Sequence, residues 1–160
     1  MDNNSIITDD KSIVIEFDRK ELSLFSNSRA DFMCTIRFKN NLGRLLKEIS
    51  ITEIEVGILI DNIYHFLETN QEVYYYINAN STNCINSVIS IALEECNISG
   101  DKYWRDILCV YDYINGQMIP RFKTDITDAK IEFIDKLYNL YIGPSNHIEN
   151  PLDYNPDFLK

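Results

Sequence analysis

Histidines and neighbouring carboxylates are the residues of this chain whose chemistry could serve metal binding or acid–base catalysis. His65 follows Asp61 by four residues on a predicted helix, so an imidazole and a carboxylate share one face. A single pair supplies too few ligands for a metal ion, and no HExxH motif completes it. We therefore interpret Asp61 and His65 as a solvated helical pair, and we expect no metal site and no cofactor.

Closely spaced carboxylates are the next candidates, and they occur at Glu16/Asp18, Glu53/Glu55 and Glu94/Glu95. Glycoside-type chemistry needs two such groups, but nothing near these pairs distinguishes them from solvated faces. The chain has no G-x-S-x-G, P-loop or G-x-G-x-x-G motif, and it contains five glycines in all. We expect no catalytic residue and no enzymatic activity. An enzyme that works through a carboxylate pair stays open as an alternative.

Residues 97–112 give a stronger signal, and it is for binding. Aromatic side chains stand among carboxylates there, and the single tryptophan lies outside any clear core stripe. Aromatic anchors rimmed by acids are typical of a surface that engages a cationic protein. The expected partner-binding residues are Asp101, Tyr103, Trp104, Asp106 and Asp112. The alternative is that Trp104 only covers the edge of a sheet.

A second aromatic cluster lies at residues 74–76. In a strand, Tyr74 and Tyr76 share one face and Tyr75 points to the other. At least one tyrosine face is therefore a candidate for contact with a partner.

The charge of the chain favours a basic partner. Twenty-five Asp and Glu stand against fifteen Lys and Arg, which gives a formal charge of −10 scattered along the sequence. Nucleic acids and anionic membranes need clustered Lys and Arg, so we expect neither as a partner. A basic protein fits this field, and so does solubility alone.

Length and composition predict one domain over residues 1–143, followed by a polar, proline-containing tail at 144–160 that includes His147. The polar N-terminus and the absence of a long apolar run predict a cytoplasmic protein. Widely spaced cysteines without a CxxC pair are interpreted as free thiols, mostly buried: Cys34, Cys84, Cys96 and Cys109.

Hydrophobic patterning predicts strands at 12–17, 32–38, 44–49, 72–78, 85–94, 106–114 and 117–122. Residues 22–25 continue the strand at 12–17 or pair with it. The apolar positions of 85–94 also suit a short helix, and 97–105 are interpreted as a loop. Asn115-Gly116 is a strong hairpin signal. One helix begins at Ser50 or Thr52, with Glu53 or Glu55 completing a capping box, and a second ends near Tyr141. Because strands come in hairpin-linked runs, we expect an α+β fold, a mostly antiparallel sheet with two amphipathic helices packed on it.

This layout resembles a known group of proteins. A polar loop, an alternating strand, a hairpin return and an acidic helix follow one another in SRADFMCTIRFKNNLGRLLKEISITEIEVGILIDNIYHFLE. A terminal helix is predicted in AKIEFIDKLYNLY. The order and endings of these elements, over residues 12–142, are similar to small immunity proteins of bacterial polymorphic and contact-dependent toxin systems, the WapI-type group. The resemblance implies a cytoplasmic inhibitor that binds one cognate toxin without catalysis. It assigns no site residue.

Many such toxins are basic nucleases, so an acidic inhibitor gains electrostatically steered association. The sequence thus predicts an immunity protein that neutralises a basic toxin. The alternative is a phage or mobile-element inhibitor that mimics nucleic acid against a host defence nuclease, which requires carboxylates spaced like phosphates along one face.

Overall fold

The computed structural model describes residues 4–21, 32–78 and 85–142, in which four strands followed by a helix occur twice. The strands are β1 (Ser5–Ile7), β2 (Ile13–Glu21), β3 (Phe32–Asn40), β4 (Leu45–Thr52), β5 (Val73–Asn78), β6 (Ile85–Ile98), β7 (Asp101–Ile114) and β8 (Gln117–Asp125); the helices are α1 (Glu53–Thr69) and α2 (Lys130–Ile142). All the pairings are antiparallel, which confirms the α+β class. Residues 22–25, Cys84 and the tail at 144–160 lie outside the described residues.

The strands form two sheets, where the sequence had suggested one. Sheet A has the order β1-β2-β3-β4 and sheet B the order β5-β6-β7-β8. Each sheet therefore holds four strands that are consecutive in the chain. Periodicity identifies the buried face of a strand but not its pairing partner, so the division into two sheets was not visible in the sequence.

Helix α1 begins where the sequence predicted, at Thr52. The Thr52 hydroxyl accepts from the Glu55 backbone N–H, and the Glu55 carboxylate accepts from the Thr52 backbone N–H, which confirms the capping box. The helix ends at Asn70, whose left-handed backbone lets its N–H donate to the Phe66 carbonyl. Its predicted apolar stripe is buried at Val56, Leu59, Ile60 and Ile63.

Helix α2 packs against the first half of the chain. Its neighbours are α1, β1 and β2, and Phe133 meets Phe17 of β2 edge to face with ring centroids 5.6 Å apart. α1, by contrast, contacts strands of both sheets. One hydrophobic cluster therefore includes residues of both helices and both sheets.

A polar cluster also links the two sheets. The Asp10 carboxylate accepts from the hydroxyls of Ser12 and Thr124, both at 2.8 Å, and of Thr8 at 3.0 Å. Partial burial by itself would raise the pKa of Asp10, but the hydrogen bonds from Ser12, Thr124 and Thr8 outweigh it and lower the pKa to about 2. Asp10 is thus held ionised between the start of β2 and the end of β8.

One predicted element is wrong. Residues 97–105 are not a loop, because β6 and β7 continue through them and meet at the two-residue turn Ser99-Gly100. Both turn residues have positive φ, 55° and 87°, as a type I′ turn requires. The predicted Asn115-Gly116 turn between β7 and β8 has the same character, with φ of 51° and 78°.

Candidate protein-binding surface

The β6–β7 hairpin extends beyond the rest of sheet B. Pairing of β5 with β6 stops at Ile91, and pairing of β7 with β8 stops at Ile107, whereas β6 and β7 stay paired up to Ile98 and Asp101. Residues 94–105, here called the ribbon, are therefore paired only with each other as strands. A two-stranded segment of this kind offers both of its faces to a partner.

Large apolar side chains are exposed on the ribbon. Trp104 is 60% exposed, Ile98 59% and Tyr103 47%. Trp104 therefore does not plug the sheet edge, which was the alternative interpretation. Strand alternation places Tyr103 and Asp101 on one face of the ribbon and Trp104, opposite Glu95, on the other.

The predicted contact residues fall into three places. Asp101, Tyr103 and Trp104 lie together at the exposed end of the ribbon. Asp106 lies at its base, where it is buried and its carboxylate pairs with the Lys130 ammonium. Its backbone N–H donates to the Thr127 hydroxyl in the strand-to-helix turn. Its partners give Asp106 a structural position.

Asp112 lies far from the ribbon end. It is eleven residues from Asp101 on the same strand, about 35 Å at the usual rise per residue. Its carboxylate is 2.5 Å from the Lys47 ammonium and 3.7 Å from the Arg121 guanidinium. Asp112 therefore connects sheet B to β4 of sheet A, and it does not share a surface with Trp104.

The outer face of sheet B, turned away from the core cluster, carries four tyrosines: Tyr74, Tyr76, Tyr111 and Tyr113. These residues are here called the tyrosine face. Tyr74 and Tyr76 are 41% and 45% exposed, whereas Tyr75 is buried in the core, as the alternation predicted. By register, Val88 lies between Tyr76 and Tyr111, and the tyrosine face continues along β7 to Tyr103.

Hydrogen bonds and ring contacts orient the tyrosine face. The Tyr76 and Tyr113 rings meet edge to face with centroids 5.9 Å apart. The Tyr74 hydroxyl donates to the Glu72 carboxylate at 2.5 Å, and this bond raises the pKa of Tyr74 to about 12. Burial raises the pKa of Tyr111. The hydroxyls of Tyr74 and Tyr111 therefore stay protonated over the physiological pH range.

A shallow depression of about 670 Å³ lies between the sheets and includes Asp9, Lys11, Arg105 and Asp128 in its lining. Both Asp9 oxygens already accept hydrogen bonds, from the backbone N–H groups of Asp128 and Ala129 at 2.6 and 2.9 Å. Arg105 is likewise paired, with Asp125 at 2.6 Å and Asp9 at 3.2 Å. The depression thus coincides with contacts that join α2 to sheet A.

The sequence candidates for metal binding gain no further ligand within the described residues. His65 is exposed, 3.3 Å from the Gln71 amide oxygen, and in the described ranges no three acidic, histidine or cysteine side chains converge on a possible metal position. Cys34 and Cys109 are buried thiols and Cys96 is half-buried. Within those ranges, neither helix is long and apolar enough to cross a membrane.

Comparison with known proteins assigns neither a family nor a role to this chain. No protein-family model matches the chain, and no curated protein sequence matches it. A solved structure described as that of the plant transcriptional regulator PBF-2 is similar over 96% of this chain and 92% of that one, at 13% identity and a TM-score of 0.37. At that TM-score, neither a shared fold nor a shared role follows.

Sequence reasoning noted Tyr111 among the aromatics of residues 97–112, but it missed Ile98 and Tyr113. Ile98 lies in the segment whose polarity predicts a loop, whereas in the structure it pairs with Asp101 across the hairpin. Tyr111 and Tyr113 alternate in the same way as Tyr74 and Tyr76, and that alternation was the available signal.

Proposed function

We propose that this chain is a cytoplasmic immunity protein that binds and neutralises a basic cognate toxin without catalysis, and that the ribbon makes the central contact. The observation that carries the proposal is the exposure of Trp104 at the end of a hairpin that projects past its own sheet. Tryptophan is prominent among residues that dominate binding energy when they become buried at an interface. Exposed Ile98 and Tyr103 add apolar area on the opposite face of the same hairpin.

Charge supports a basic partner for the ribbon. Asp101 forms no ion pair with the described part of the chain, and Glu95 is only loosely paired with Lys102 at 3.4 Å. Together with the net charge of −10, these carboxylates would steer a basic toxin toward the ribbon and speed its association.

A nucleic-acid mimic would instead need rows of unpaired carboxylates. On the outer face of sheet A, carboxylates alternate with cations: Glu16 pairs with Lys39 at 3.0 Å, and Arg37 lies between Asp18 and Glu48 at 3.6 and 2.9 Å. This mixed charge favours the immunity protein over the mimic.

The direct test is binding to the product of the adjacent upstream gene, a toxin under this proposal. We expect the wild-type chain to bind it at moderate salt, and Trp104→Ala to weaken the affinity by roughly 30-fold or more, as for an interface hot spot. Leu42→Ala is the matched control, since Leu42 is 88% exposed on the β3–β4 turn, and it should change the affinity less than about 2-fold. A neighbour that is not a toxin, or a pair that does not associate, would overturn the proposal.

A further inference from the structure

The outer faces of the two sheets differ in chemistry, although both sheets are four-stranded and antiparallel. The outer face of sheet A is polar and carries the ion pairs of Glu16 with Lys39 and of Arg37 with Glu48. Sheet B has the tyrosine face at the corresponding position, turned away from the shared core cluster. Solvation explains an ion-paired face, but it gives no reason for four aromatic rings.

The rings of the tyrosine face are suited to cations. An aromatic ring attracts ammonium and guanidinium groups through the negative charge of its π face. The Tyr74 hydroxyl donates to the charged Glu72, which increases electron density on the Tyr74 ring. The T-shaped contact of Tyr76 with Tyr113 presents the edge of one ring to the other, so the pair does not stack face to face.

Phosphates would find no unpaired cation on the described part of this face. Lys123 is bound to Glu94 at 2.9 Å, and Arg105 is bound to Asp125 at 2.6 Å. Lys123, which register places opposite Cys109 and next to the row of Tyr111, is therefore paired, and so is Arg105 farther along β7. Nucleic acid could stack on the tyrosines, but its backbone would meet a negatively charged protein.

We propose that the tyrosine face binds an extended segment of the basic partner that carries Arg or Lys at alternating positions. Tyr74 and Tyr76 lie two residues apart on one strand, about 7 Å, which is also the distance between alternate side chains of an extended peptide. Each cation then stacks on one ring. The inference rests on the proposed function in one respect, that the partner is basic.

The test uses the full chain and two synthetic peptides of about eight residues with one composition, Arg and Ser alternating in one and Arg grouped in the other. We expect the alternating peptide to bind more tightly at roughly 150 mM salt, where long-range attraction is screened. The double variant Tyr76→Leu with Tyr113→Leu should weaken binding of the alternating peptide roughly 5- to 30-fold. The double variant Tyr76→Phe with Tyr113→Phe keeps both aromatic rings and should leave most of the affinity.

Ile58→Ala is the matched control, because Ile58 is exposed to the same degree as Tyr76 but lies on α1. It changes no charge and should alter peptide affinity less than about 2-fold. Equal losses in Ile58→Ala and in the Tyr76/Tyr113 leucine variant, or no loss in either, would overturn the proposal.

NMR titration of the wild-type chain gives a readout that needs no variant. The alternating peptide should shift the amide signals of the tyrosine-face residues Tyr74, Tyr76, Tyr111 and Tyr113 more than those of the outer face of sheet A. Shifts spread evenly over the acidic surface, or tighter binding of a thymidine oligonucleotide under the same conditions, would contradict it. These outcomes are independent of toxin capture, so the tyrosine face and the proposed function can fail separately.

Discussion

Asp9 joins three parts of the molecule through one carboxylate. It lies in the β1–β2 turn, accepts the backbone N–H groups of Asp128 and Ala129, and pairs with Arg105 of β7. Lys130, the next residue, donates its N–H to the Ile126 carbonyl, so the capped turn runs directly into α2. A residue from the start of the chain thus supplies the N-terminal cap of the last helix.

Replacing Asp9 should therefore destabilise the fold. For Asp9→Ala we expect the free energy of unfolding in urea to fall by about 1–2 kcal/mol, because two backbone N–H groups lose their acceptor and Arg105 loses one of its partners. Asp18→Ala is the matched control: Asp18 is an exposed carboxylate 3.6 Å from Arg37, and its loss should cost less than about 0.5 kcal/mol. Equal losses in the two variants would show that the cap contributes nothing beyond a surface charge.

At the scale of elements, the ribbon depends on its turn. Gly100 has φ of 87°, a conformation that a side chain disfavours by about 1 kcal/mol or more. Since the ribbon lies outside the four-stranded part of sheet B, we expect Gly100→Ala to loosen it locally. Hydrogen exchange of the ribbon amides should become about 5- to 10-fold faster, with little change in the melting temperature.

Ser99→Asn is the control for the ribbon, because asparagine tolerates positive φ and Asn-Gly is the preferred pair for this turn type. It should leave exchange of the ribbon amides unchanged or slower. If Gly100→Ala instead lowers the melting temperature of the whole chain and leaves exchange in the ribbon unaffected, the ribbon is not an independently opening segment.

Most helices and strands were predictable from the sequence pattern of a few neighbouring residues. The ribbon was not. Thr52 with Glu55 marks the start of α1, and Asn115-Gly116 marks a hairpin, because each signal is complete within a few residues. The polar residues around Ser99-Gly100 suggested a loop, whereas cross-strand pairs such as Glu95 with Trp104 extend the strands through them. Pairing is a property of two segments, and one segment's polarity does not reveal it.

The candidate site was predictable in part for the same reason. Trp104 and Tyr103 stood out by residue type, and the structure places both on an exposed hairpin. Asp106 and Asp112 had the same composition signal, yet Lys130 and Lys47 pair with them. Those lysines are distant in sequence, so only the folded chain could show that these carboxylates are engaged.

At the scale of the whole molecule, the repeated order of four strands and a helix does not mean two independent domains. α2 follows sheet B in the chain but packs on β1 and β2 of sheet A, and its Phe133 meets Phe17. α1 follows sheet A, yet it also contacts β5 and β6. Each half therefore leaves an apolar helix face or sheet face uncovered when the other half is absent.

Separating the halves should accordingly abolish folding of both. We expect residues 1–71 and 72–160, made as two polypeptides, to lack a cooperative urea transition when alone, because the core cluster draws on both. Mixing them should restore near-ultraviolet circular dichroism and a single transition, since Asp9 and Phe17 can again meet α2. A cooperative transition in either fragment alone would contradict this. It would show that one sheet and its own helix fold stably without the contacts that α1 and α2 make with the other half.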